Sequence, residues 1–462
     1  MKHLCFVLIT SIYIIIIYLL NNGWSLDFDM SLFYVLLAIG SMFSCWFNSN
    51  RKLNLFFLYL LTFHLFIGGR FFVCLFERDL TPFEPTFFYN YNVSTTRGVE
   101  LMNFVYTFLY FIVFGHYLFR IHPFKEPLNL NSKFINQMSI TGISSLCYPF
   151  LAVCLLYMGV ESAIYSLQNG YAVVEYSVTD AEYGVSIVHK FAPMFLILLL
   201  AMTFAYAKNY NKKFLMLYAV YGITVLVSGS RAAFGSILLL WVWIYSMEYK
   251  ISLLRIGLYI FCGLTVLLVI FSLSARGHGL EGFTLFDAIK IFLYDNGVSL
   301  MVFDTSRLVD DYPILPYLQT FIPGVSYLYS FIFGVTLYPQ DISFSGHLCN
   351  TINSTLFSDG AGLGWTTLSD VYVYSQGNII LFSIFSFVLG LIFANIECWA
   401  HKSSFYKYLV IAIAPGVLTM ARGYLTAFFV QMIYATVFYV LLHNYYKHRK
   451  KQNLISYETS SD

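Results

Sequence analysis

Long apolar runs alternate along the chain with short polar connections. The runs cover 4–20, 31–47, 54–70, 100–119, 138–158, 187–207, 214–229, 232–247, 251–273, 378–397, 405–421 and 423–443. As helices rising about 1.5 Å per residue, they match most or all of the roughly 30 Å of bilayer hydrocarbon. Apolar residues within them are continuous rather than alternating, which excludes a transmembrane β-barrel. The pattern predicts an all-α fold, a polytopic transmembrane helical bundle of about twelve spans. Residues 1–273 form an N-terminal bundle, 274–377 a large loop, 378–443 the last three spans and 444–462 a tail. The loop is too long for a plain connection and too apolar for a disordered one. Inside it, Ile289 to Val302 and Thr320 to Leu337 read as helices lying on the membrane or dipping into it, punctuated by Pro313, Pro316, Pro323 and Pro339.

Composition agrees. Of 462 residues, 59% are hydrophobic and only 11% charged, where soluble chains carry about 25% charged residues. The first run follows Lys2 and is succeeded by Asn21-Asn22-Gly23-Trp24 rather than a small-x-small cleavage site, so it reads as an uncleaved anchor. Most of the eight cysteines sit inside apolar runs, and no CxxC or His/Cys ligand spacing occurs. The sequence therefore predicts neither a disulfide framework nor a metal site.

Charge placement adds an orientation and a chemistry. Lysine-rich connections at Arg51-Lys52, Arg120 to Lys133, Lys208 to Lys213, Lys250 to Arg255, Lys402 to Lys407 and Lys447 to Lys451 alternate with lysine-poor ones. The positive-inside rule makes both termini cytoplasmic. On that topology thirteen of fifteen lysines lie inside, while seven of eleven arginines lie outside. Either cation can anchor a loop, but arginine's planar fork is preferred where an oxyanion must be held. Four outer arginines stand among small or apolar residues at helix ends: Gly69-Arg70-Phe71, Ser230-Arg231-Ala232, Ala275-Arg276-Gly277 and Ala421-Arg422-Gly423. Arg231 divides the apolar stretch 214–247 and Arg422 divides 405–443, each with little loop. Such short hairpins draw their tips toward the hydrocarbon, and a recessed cation faces a cavity or a partner. The alternative is that these arginines reach lipid headgroups or pair with acids such as Glu77 or Asp287.

Three segments resemble the Wzy-type O-antigen polymerases. Val227-Ser-Gly-Ser-Arg-Ala-Ala-Phe234 is similar to the family's Gly-Ser-Arg helix start, Gly360-Ala-Gly-Leu-Gly-Trp-Thr-Thr-Leu-Ser-Asp-Val-Tyr372 to its Gly-Leu-Gly segment, and Ala421-Arg-Gly-Tyr424 to its late Arg-Gly element. The span count and the large loop before the last three spans agree over nearly the whole chain. Asp370 stands where the family pattern calls for glutamate. The resemblance implies transfer of a growing glycan from undecaprenyl pyrophosphate onto the non-reducing sugar of another lipid-linked repeat unit, at the periplasmic face of a bacterial inner membrane. It implies no cofactor and no nucleic acid; the partners are the lipid-linked donor and acceptor, the bilayer and a chain-length regulator protein. Arg231, Arg422, Arg276 and Arg70 would bind the pyrophosphate, on which negative charge grows as it leaves.

The attacking hydroxyl calls for a general base. His347, on the large loop, and Asp370, just before span 378–397, are the candidates; His278 lies close to Arg276. Helix capping is the plain alternative for Asp370. Asp27-Phe28-Asp29 and Asp310-Asp311 are paired acids more in keeping with an acidic outer loop than with a metal site. Two rival functions stand beside the polymerase. An O-antigen ligase differs only in its acceptor. A flippase or other transporter would place charge mid-span or show related halves with broken helices, and neither feature is present.

Overall fold

Inside a bilayer each backbone N–H and C=O must be satisfied within its own segment, so apolar runs become helices. The computed structural model describes residues 2–24, 27–49, 53–84, 88–121, 135, 137–169, 187–227, 231–248, 252–272, 284–358, 362–400 and 402–458. Ten helices come first: α1 (Lys2–Asn21), α2 (Asp27–Asn48), α3 (Leu55–Phe66), α4 (Gly69–Cys74), α5 (Thr95–Ile121), α6 (Gln137–Asn169), α7 (Ile187–Tyr206), α8 (Lys208–Val227), α9 (Arg231–Glu248) and α10 (Leu253–Ser272). Eight short ones follow: α11 (Leu285–Asn296), α12 (Ser299–Ser306), α13 (Ile314–Phe321), α14 (Val325–Phe333), α15 (Pro339–Ile342), α16 (Phe344–Ile352), α17 (Ser354–Ser358) and α18 (Thr367–Tyr374). The chain ends with α19 (Ile379–Ala400), α20 (Ser404–Thr419), a single 3-10 turn (Met420–Arg422) and α21 (Leu425–Glu458). No β-strand occurs among the described residues.

The all-α membrane fold stands as the hydropathy pattern predicts. A helix covers most of each of the twelve apolar runs, and among the described residues seven helices are long and apolar enough to cross a bilayer, with further apolar stretches in α3, α7, α9 and α10. The run 54–70 shows why length and hydropathy part company. Its helix α3 ends at Phe66, and the chain restarts at Gly69 as α4. At Gly68 a side chain would fall 2.2 Å from the Tyr34 ring, so the break is packed hard against α2.

Small residues let the helices approach closely. The tightest crossing joins α5 to α19: a Cβ at Gly115 would meet the Phe387 carbonyl at 2.1 Å, and one at Gly390 the Ile112 carbonyl at 2.1 Å. At the lysine-bearing end, Glu397 of α19 accepts the Phe56 N–H at 2.7 Å, and Asn54 accepts the Phe57 N–H at 2.7 Å. A buried carboxylate from one helix thus caps the free N–H groups of another.

The segment 274–377 is docked on the bundle rather than hanging from it. Helix α12 is buried along its whole length. Asp304 on it accepts from Arg97 of α5 (2.7 Å), from Arg307 (3.1 Å) and from the Tyr91 hydroxyl (2.7 Å), while Arg307 also reaches Glu100 (3.2 Å). Helix α11 packs on α4 through facing glycines: a Cβ at Gly69 would lie 2.2 Å from the Leu293 carbonyl, and one at Gly297 2.5 Å from the Arg70 nitrogen.

Candidate functional site

The apolar run 405–443 breaks at Met420–Tyr424, between α20 and α21. Such a break strands the last carbonyls of one helix and the first N–H groups of the next. Helix α18 supplies partners for both. The Thr367 hydroxyl donates to the Met420 carbonyl on one side of the break. On the other, Asp370 Oδ2 accepts the Leu425 N–H at 2.6 Å, and its Oδ1 accepts the Trp365 indole N–H at 2.8 Å. Thr366 anchors α18 by accepting the Ser369 N–H at 3.0 Å. The Trp365 ring stacks between Phe344 (centroids 5.3 Å) and Tyr424 (6.1 Å), and the Tyr424 hydroxyl bonds to Ser345 on α16. The segments 362–372 and 421–424 thus form one layer that displays Arg422.

Asp370 is 0% exposed. Burial raises its carboxyl from the ordinary value of 3.8 to about 7, against the two N–H donors that pull it down. Both oxygens are occupied by the protein, so here Asp370 fastens the helix break, and no face is open to a substrate hydroxyl. The capping alternative holds in a changed form: Asp370 caps the start of α21, not of its own helix. His347 is half-buried on α16, its ring 5.4 Å from Tyr312 and two residues from the Ser345 that meets Tyr424.

The four arginines divide. Arg422 is exposed, with its guanidinium carbon 5.8 Å from the Phe66 ring centroid at the end of α3. Arg231 is the first residue of α9, and only its backbone is described; Arg276 and His278 lie outside the described residues. Arg70 is 2% exposed. Its guanidinium donates to the Tyr294 carbonyl (3.2 Å), the Pro82 carbonyl (3.3 Å), Met301 Sδ (2.8 Å) and Glu84 (2.8 Å), and lies 4.4 Å from the Tyr294 ring centroid. Arg70 is therefore a strut that ties α11 and α12 to α4. The paired acids are equally ordinary in their settings: Asp27 and Asp29 occupy the first turn of α2, where negative charge suits the helix dipole, and Asp310 and Asp311 are exposed. Among the described residues no group of three His, Cys, Asp or Glu side chains is placed to hold a metal ion.

A cavity of about 550 Å³ lies between α2, α3, α9, α10 and α11. Phe43, Phe57, Leu61, Leu239, Val242 and Tyr259 are among its walls. Three of its polar lining groups are already used: His64 bonds to Tyr34 (2.9 Å) and Ser41 (3.0 Å), Thr62 donates to the Tyr59 carbonyl (2.9 Å), and Asn296 to the Phe292 carbonyl (2.7 Å). Side chains at Gly235 and Gly257 would meet nothing within 4 Å, so both glycines widen it. Its lining includes Phe66, which lies under Arg422, and Leu418, one turn before Arg422. Gly235 on the wall is four residues into α9 from Arg231, which sets Arg231 about 6 Å further along the same helix face.

The Arg97–Asp304–Arg307–Glu100 network escapes the sequence reading. Its only local signals are the i,i+3 pairs Arg97/Glu100 and Asp304/Arg307, which occur on many solvated helices. No curated protein and no solved structure matches the chain. The family model for the O-antigen polysaccharide polymerase Wzy matches residues 3–453, nearly the whole chain, and the chain belongs to that family.

Proposed function

We propose that this membrane polymerase joins undecaprenyl-pyrophosphate-linked repeat units at the periplasmic face of the bacterial inner membrane, with both termini in the cytoplasm. One observation carries the reading: an apolar cavity is lined by Phe66, whose ring lies under Arg422, and by Gly235, about one helical turn from Arg231. The cavity suits part of a polyprenyl tail, and the arginines suit the pyrophosphate at its head. A hydroxyl of the acceptor's non-reducing sugar attacks the anomeric carbon of the donor glycan. The carbon–oxygen bond to pyrophosphate breaks, and the charge gathering on the departing oxygen is met by fixed guanidinium groups. Arg231 and Arg422 are assigned this role, as is Arg276; Arg70 holds the scaffold. His347 is the candidate to accept the hydroxyl proton, with Asp370 fixing the turn that presents Arg422. A chain-length regulator would act on the same membrane face.

Deleting the gene and separating lipopolysaccharide on a gel tests the reaction. Loss of a polymerase leaves core capped by one repeat unit. Absence of all O-antigen would indicate a ligase, repeats trapped inside would indicate a flippase, and an unchanged ladder would overturn the proposal.

A further inference from the structure

From Tyr312 to Gln340 no residue is charged, although this stretch lies outside the long spans. It folds as α13 and α14, joined through Gly324 (φ +81°) and closed by Gly334 (φ +64°), two left-handed positions that suit glycine. Only Leu315, Pro316 and Thr320 of α13, and Ser326 of α14, are buried. The outward face of α13 is Ile314, Leu318 and Phe321, at helical spacing, and all three are exposed. Helix α14 exposes Tyr327, Leu328, Phe331, Ile332 and Phe333, with Phe331 at 87%. A helix facing water carries polar residues on such a face, and a contiguous apolar one marks contact with a partner or a membrane.

Helix α13 identifies that partner. It lies against the first turns of α21, which is apolar enough to cross a bilayer. Thr320 bonds to Thr426 at 2.8 Å, and the Phe321 and Phe429 rings stand 5.3 Å apart. The exposed apolar face is therefore continuous with a surface that lipid surrounds. The nine residues of α14 rise about 14 Å, less than half the hydrocarbon thickness, so α14 can enter a leaflet but not cross both. Helix α12, by contrast, is buried in protein along its length and offers lipid nothing.

We propose that α13 and α14 form a re-entrant hairpin inserted among the acyl chains of the leaflet beside Arg422. Its protein side holds Tyr317, whose ring is 4.9 Å from Phe344, itself stacked on Trp365. Insertion thereby sets the depth of the aromatic layer that displays Arg422. The proposal stands on lipid contact alone and does not depend on the reaction.

The test uses the full chain with its native cysteines replaced, reconstituted into phosphatidylcholine nanodiscs. A single cysteine at 328, 331 or 332 carries an environment-sensitive fluorophore; position 440 on α21 serves as the lipid-facing reference and position 310 as the aqueous one. Nitroxide-labelled lipid should quench the hairpin positions as it quenches 440, with blue-shifted emission, while a water-soluble quencher acts mainly at 310. Quenching chiefly from water overturns the proposal. Protection from both quenchers also overturns it, in favour of a second copy of the chain covering the hairpin.

Discussion

Replacing Asp370 with asparagine separates a fastening role from a catalytic one. In the native layer both carboxyl oxygens accept N–H groups, at 2.6 Å from Leu425 and 2.8 Å from Trp365. Asparagine keeps one acceptor and turns an NH₂ toward the other donor, leaving a buried N–H without a partner at a cost of about 1–3 kcal/mol. Removing negative charge from the start of α21 adds about 0.3–1 kcal/mol. Near pH 8, where the wild-type carboxyl is ionised, those losses are offset by relief of the buried charge, whose desolvation is what raises the carboxyl. The pH dependence has the same origin. Burial raises the carboxyl to about 7 from 3.8, so between those values the folded chain holds a proton that the unfolded chain has released. Stability from this group is therefore greatest below about pH 4, falls by up to about 4 kcal/mol as pH rises to 7, and is level above that. Asparagine removes that slope. Thermal unfolding in detergent from pH 5.5 to 8, alongside polymerising activity, reads both effects: Asp370→Asn should flatten the pH dependence of the midpoint, with turnover falling as the layer loosens. An unchanged melting profile with abolished turnover would refute the fastening role and restore Asp370 as the reacting base.

Arg422→Lys keeps the charge but loses the planar fork; because the side chain is exposed, the variant should fold normally and lose at least about tenfold in activity, and wild-type activity would return Arg422 to a lipid-headgroup role. Gly69→Ala puts a Cβ 2.2 Å from the Leu293 carbonyl, which should push α4 from α11 and destabilise the chain by about 1–3 kcal/mol; an unshifted unfolding midpoint would contradict that packing. Gly235→Leu enters open space in the cavity wall, so thermal stability should hold while the apparent KM for lipid-linked donor rises; an unchanged KM would separate the cavity from the polyprenyl tail.

The charge pattern that marks Arg422 leaves the environment of Arg70 unread. Both stand beside glycine near a helix end, yet one is exposed and the other donates to four protein groups on three segments. Neighbouring residues set local hydropathy and backbone freedom, and these are alike at the two sites. What differs is the arrival of α11 and α12 from more than two hundred residues away, which no local pattern encodes. Asp370 behaves in the same manner: its place near a helix start is legible, but its partner Leu425 comes from another helix.

The sequence alone determined what depends on solvation along the chain: helices in place of strands, and the apolar runs with polar connections between them. Each follows from the cost of leaving backbone polar groups or charges in hydrocarbon, which a short window of residues decides. Only the tertiary structure decided which carboxylates cap which helices, that Arg70 is a strut, and that Arg422 lies over a wall residue of the cavity. Those outcomes rest on hydrogen bonds and backbone approaches between distant segments, where differences of an ångström choose the partner.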